Sequence, residues 1–129
     1  MQVYYFSRTG RSKKIAEELA VRYHTRAEEI TDDAKWQGVV GYLKGCYSAI
    51  KKEALPAKYK KVNSQEDLIL VFPIWAGTFP PAIKTFLERE GRERVICIPT
   101  SGSSKLKDRQ GFSKVIDLVG KNIVAPQEV

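Results

Sequence analysis

Three short segments carry the residues that could do chemistry. Ser7-Arg8-Thr9-Gly10-Arg11-Ser12 interleaves hydroxyls with a glycine and two guanidinium side chains. Hydroxyl donors, a glycine that permits a tight turn exposing successive N–H groups, and a helix opening directly afterwards together make an anion site suited to a phosphate. A capped helix start uses the same residue types, so this segment alone does not decide. Pro73-Ile74-Trp75-Ala76-Gly77-Thr78-Phe79 adds an aromatic and a glycine. A planar ring could stack on Trp75 while the backbone of Ala76, Gly77 and Thr78 bonds its edge. The competing use of the indole is to pack the loop onto the following helix. Thr100-Ser101-Gly102-Ser103-Ser104 offers small polar residues that reach a ligand through backbone groups, although Ser/Gly runs are also ordinary loops.

Other chemistries lack their residues. Cys46 and Cys97 show no CxxC spacing and only one histidine is present, which argues against a structural zinc site and for reduced thiols. No GxGxxG is present, so a dinucleotide-binding Rossmann unit is not indicated. A receiver domain needs acids at the end of its first strand, where this chain has Phe6-Ser7-Arg8. A tyrosine phosphatase of low molecular weight needs C-x5-R there, and no cysteine stands in that loop. No acid–base pair stands out in the three segments.

The elements that must position these segments follow from periodicity. Residues 3–6 form a short apolar run, the mark of a strand buried on both faces. Ile15, Ala16, Leu19, Ala20 and Tyr23 then fall on one stripe of a helix. A second strand is expected over residues 27–30, and a second helix from Trp36, Val39, Val40, Leu43, Tyr47 and Ile50. Residues 68–72, LILVF, read as another buried strand, and Pro80-Pro81 opens a helix that Gly91 ends. Residues 94–98 predict a fourth strand, and Phe112, Val115, Ile116 and Val119 a further helix closed by Gly120. Residues 122–125 are expected as the last strand. Strand–helix alternation implies one domain over residues 1–129, a doubly wound α/β fold with a parallel sheet. Ligands of such sheets bind at the carboxyl ends of the strands, where all three segments lie.

At 129 residues, 43% hydrophobic and 29% charged, the chain suits a globular domain. No apolar run approaches the ~20 residues of a membrane span. The N-terminus lacks the layout of a signal peptide, and a cytoplasmic location is expected. The net charge of +7 is compatible with nucleic acid, but no module signature accompanies it.

The chain resembles the flavodoxin family and its short flavodoxin-like relatives. The resemblance rests on YYFSRTGRSKKIAEELA and LILVFPIWAGTFPPAIKTFLE, supported by TSGSS after the fourth strand. It implies a five-stranded parallel sheet of order 2-1-3-4-5 and non-covalent binding of FMN. By this resemblance Ser7, Arg8, Thr9, Gly10, Arg11 and Ser12 hold the phosphate. Pro73, Ile74, Trp75, Ala76, Gly77, Thr78 and Phe79 flank the flavin ring, and Thr100, Ser101, Gly102, Ser103 and Ser104 line its other edge. It further implies an electron-transfer flavoprotein, the alternative being an FMN-dependent NAD(P)H:quinone-type oxidoreductase.

The chain departs from the family in its basic charge, in Arg11, where a small residue or Asn is usual, and in lacking the final helix. Lys105, Lys107 and Arg109 beside the third segment lead us to expect a redox partner with an acidic surface. The missing helix predicts an uncovered apolar face near Ile15, Leu19 and Ile123. Either a homodimer formed through that face or a native chain running beyond Val129 is expected from it.

Overall fold

The computed structural model describes residues 1–32 and 57–129. Strands and helices alternate: β1 (Gln2–Tyr5), α1 (Arg11–Arg22), β2 (Ala27–Glu29), β3 (Leu68–Pro73), α2 (Pro81–Glu90) and β4 (Val95–Ser101), followed by the short strands β5 (Lys114–Val115) and β6 (Leu118–Val119). The helix expected from Trp36 to Ile50 lies outside the described residues. The sheet order is β2-β1-β3-β4-β5, with β6 also on β4, and every pairing is parallel.

The apolar strands are buried on both sides, and successive residues serve opposite faces. Tyr4, Phe6, Leu68, Leu70, Phe72, Val95 and Cys97 join Ile83 and Phe86 of α2 in one core. Val3, Tyr5, Ile69, Val71, Ile96 and Ile98 join Ile15, Ala16 and Leu19 of α1 in the other. Pro81 starts α2 without loss, because a first-turn N–H has no intrahelical partner.

The carboxyl-terminal end differs from the sequence expectation in three ways. Residues 112–119 form β5 and β6 rather than a helix. Their β-branched residues suit the outer edge of β4, whose backbone groups need partners. The two short strands keep one register along β4, and the break between them falls opposite Pro99. Ile116 N–H donates to the Cys97 carbonyl at 2.8 Å. The next rung would need an N–H from residue 99, and proline has none.

Second, residues 122–125 form no strand; the fifth position of the sheet is filled by β5 and β6. Third, the α1 face is covered. Ile15 and Leu19 are 2% and 0% exposed, and Ile116, Leu118, Ile123, Ala125 and Val129 pack on their cluster. Arg22 donates to the carbonyls of Pro126 and Gln127. An irregular strap thus covers the face that was expected to be open. Among the described residues no helix is long and apolar enough to cross a membrane.

Candidate functional site

Parallel pairing brings the ends of β1, β3 and β4 to one sheet edge. There the three segments enclose a cavity of about 300 Å3, lined by Ser7, Arg8, Thr9, Arg11, Ser12, Pro73, Ile74, Trp75, Thr100, Ser101, Gly102, Ser103 and Ser104. These are thirteen of the eighteen residues the sequence nominated. Gly10, Ala76, Gly77, Thr78 and Phe79 do not line it.

In the first segment Ser7 Oγ accepts the Gly10 N–H at 2.9 Å. Gly10 sits at φ +96°, a left-handed conformation that glycine takes without a Cβ penalty. It caps α1 with its backbone alone, its carbonyl accepting the Lys14 N–H at 3.0 Å. The N–H groups at the start of a helix have no intrahelical acceptor, and here they come at the cavity wall. The turn is therefore built from within by Ser7, while exposed Thr9 and half-buried Arg8 and Arg11 border the cavity. The Arg11 guanidinium donates to the Gly120 carbonyl.

Ser12 is 2% exposed, and its hydroxyl meets Thr100 Oγ1 at 2.9 Å. Thr100 and Ser101 belong to the end of β4 rather than to a loop. Ser101 Oγ accepts the Ser104 N–H at 3.1 Å and donates to the Ser104 carbonyl, which folds the third segment back on itself.

Trp75 is 1% exposed and meets Phe6 edge to face, with centroids 5.5 Å apart. Its indole is a wall of the cavity and is anchored in the α2-side core. The following residues make a two-residue reversal: Trp75 and Thr78 exchange backbone hydrogen bonds at 3.0 and 3.1 Å across Ala76 at φ +53° and Gly77 at φ +76°. Positive φ at both central residues is the mirror-image turn favoured between twisted strands. The Gly77 carbonyl accepts the Lys107 N–H at 3.0 Å, and the Lys107 stem lies over Gly77. Phe79 is a core residue beside Phe72 and Phe112.

No carboxylate lines the cavity among the described residues. Arg109, which follows the third segment, is engaged by a carboxylate: it forms a double hydrogen bond with Asp117 at 2.8 Å. The Arg109 guanidinium, hydrogen-bonded to Asp117, holds that carboxyl below the usual carboxylate range. Burial pushes the Cys97 thiol well above the ordinary thiol range, which removes it as a nucleophile. Local sequence patterns mark Gly120 only as a helix stop. Its contact with Arg11 spans 109 positions, and no local pattern reports it.

Neither a protein-family model nor a curated protein matches the sequence. Solved structures do match in fold. A flavoprotein from Lactobacillus acidophilus NCFM, crystallised in complex with FMN, superposes with a TM-score of 0.71 at 19% identity, over 92% of this chain and 90% of that one. A candidate flavoprotein from Bacteroides uniformis ATCC 8492 gives 0.70 at 24% identity, over 94% and 90%. The chain thus has the flavodoxin-like doubly wound fold, with sheet order 2-1-3-4-5.

Proposed function

We propose that this protein binds FMN at the cavity and works as an electron carrier. The observation that carries the reading is convergence: the hydroxyls and guanidinium groups of the first segment, the apolar Pro73, Ile74 and Trp75 of the second and the small polar residues of the third line one cavity at the carboxyl edge of the sheet. The donor set suits a phosphate: N–H groups at the start of α1, the Thr9 hydroxyl, Arg8 and Arg11, with no lining carboxylate to repel it among the described residues. The size also fits, since small-ligand sites span ~300–1,000 Å3 and this cavity of about 300 Å3 opens at the sheet edge. That a neighbour of the same fold was crystallised with FMN supports the choice of ligand.

The first segment would hold the phosphate, and Pro73, Ile74, Trp75 and residues 100–104 would border the ring. When bound, FMN supplies the redox chemistry, and the protein contributes position and access. The carrier is favoured over a quinone-type oxidoreductase by the lining. It holds hydroxyls, backbone groups and guanidiniums, and among the described residues no Asp, Glu, His, Lys, Cys or Tyr to move a proton. Exposed Lys13 and Lys14 follow the first segment and exposed Lys105 and Lys107 follow the third, so a redox partner with an acidic surface is the fitting one.

Titration with FMN, riboflavin and FAD, followed by flavin fluorescence, tests the reading. FMN should bind more tightly than riboflavin. Equal affinity would remove the phosphate role and with it the proposal.

A further inference from the structure

We propose that the Gly120 carbonyl positions the Arg11 guanidinium on the cavity wall, so that docking of residues 121–129 sets how tightly the site holds a phosphorylated ligand. The inference rests on the FMN reading above. Arg11 lines the cavity and donates through Nη2 to the Gly120 carbonyl. Gly120 is fixed from its other side, because its N–H donates to the carbonyl of Ser101, itself a lining residue, at 2.9 Å. Its φ of +123° is a conformation that side-chain-bearing residues avoid. One residue therefore joins the start of α1, the end of β4 and the strap.

The strap is held along α1. Ile123, Ala125 and Val129 pack on the cluster containing Ile15 and Leu19, and Arg22, at the far end of the helix, grips the carbonyls of Pro126 and Gln127. A guanidinium has five N–H donors in a rigid fork. A backbone carbonyl occupies part of the fork and carries no net charge, so the positive charge and the remaining donors stay available to an anion. A long side chain ordered in advance loses less freedom when the ligand arrives. Coupling of this kind is reciprocal: if the docked strap strengthens phosphate binding, phosphate binding steadies the strap. Riboflavin, lacking the phosphate, should be blind to it.

The test uses the full chain, with FMN and riboflavin as probes. Ile123 does not line the cavity. Ile123→Ser should weaken FMN by about 5–10-fold, within the usual range of coupling between sites, and leave riboflavin unchanged. Arg11→Met should weaken FMN by at least as much and abolish the further effect of Ile123→Ser. Arg11→Lys should restore part of the loss. In the unaltered chain, amide hydrogen exchange at residues 121–129 should slow with FMN and not with riboflavin. An equal loss for both ligands in Ile123→Ser, or strap exchange indifferent to FMN, would overturn the coupling. Equal affinity of the unaltered chain for FMN and riboflavin would instead overturn the proposed function.

Discussion

Ser12 Oγ and Thr100 Oγ1 stand 2.9 Å apart, both buried, and tie the start of α1 to the end of β4 beneath the cavity. This pair holds two of the three segments at a fixed separation. A hydroxyl deprived of its buried partner costs about 1–3 kcal/mol, so Ser12→Ala and Thr100→Val should each destabilise the fold by an amount in that range. Thr100 also lies 3.5 Å from the Phe72 carbonyl, a long contact that leaves it only weakly satisfied after loss of Ser12. The double variant should cost less than the two losses combined, since neither hydroxyl is then abandoned. Urea unfolding of the four proteins measures this, and additive losses would mean that the two hydroxyls do not act as a pair.

Thr9 offers the contrast, because it is exposed and lines the cavity. Thr9→Ala should leave the urea midpoint within experimental scatter. It should weaken FMN by about 1.5–3 kcal/mol, the value of a hydrogen bond to a charged group. An unchanged FMN affinity would take Thr9 out of the site.

Much of this arrangement was legible in local pattern. The apolar runs at residues 3–6 and 68–72 identified buried strands, and alternation implied a parallel sheet and hence the edge where the segments meet, while the strand order came from the family resemblance. Contacts between distant residues were not legible. Nothing near Ser12 says that its hydroxyl faces Thr100, 88 positions away. Residues 112–119 carry apolar spacing that fits a helix, yet the open edge of β4 wins, because unpaired backbone groups outweigh a weak local preference. The strap was hidden for the same reason: its apolar residues have no period of their own and follow the surface of α1.

The indole of Trp75 separates packing from binding. It is 1% exposed and set against Phe6. Trp75→Ala should cost about 3–5 kcal/mol of stability, the usual loss for truncating a buried aromatic. Trp75→Phe should recover most of it and keep most of the flavin affinity. A Trp75→Ala protein as stable as the parent, with weakened flavin binding, would restore the stacking role read from the sequence.

The reversal at Ala76 and Gly77 carries strain on only one of its two residues. Ala76 holds φ +53° with a Cβ, which costs an L-residue ~1–2 kcal/mol. Ala76→Gly removes that strain but frees the unfolded chain, so a net gain of up to about 1 kcal/mol is expected. Gly77→Ala runs the other way. It adds the same strain at φ +76°, and the new Cβ would lie 2.8 Å from Lys107 Cε, so the lysine stem must move. A loss of about 1–2 kcal/mol is expected. Thermal or urea unfolding of both variants checks the asymmetry, and two changes of the same sign would contradict the turn geometry.

The Arg109–Asp117 pair should make the carboxyl end of the sheet sensitive to acid. The hydrogen bonds from Arg109 are the main cause of the lowered Asp117 carboxyl, and Lys105 adds to it. A carboxyl lowered in the folded state stabilises that state at pH values above its unfolded value, about 3.9. The contribution is lost as pH falls through the lowered folded value. Asp117 is 14% exposed and Arg109 41%, so solvent screens part of the attraction. The pair should then contribute about 1 kcal/mol at most, as for well-aligned surface pairs. Asp117→Asn should therefore lower the urea midpoint near neutral pH, and the gap from the parent should close below about pH 4. The pair joins the segment after β4 to the junction between β5 and β6, so its loss should also loosen the strap that follows, seen as faster amide exchange at residues 120–129. A gap constant with pH would mean that Asp117 contributes through packing and not through its charge.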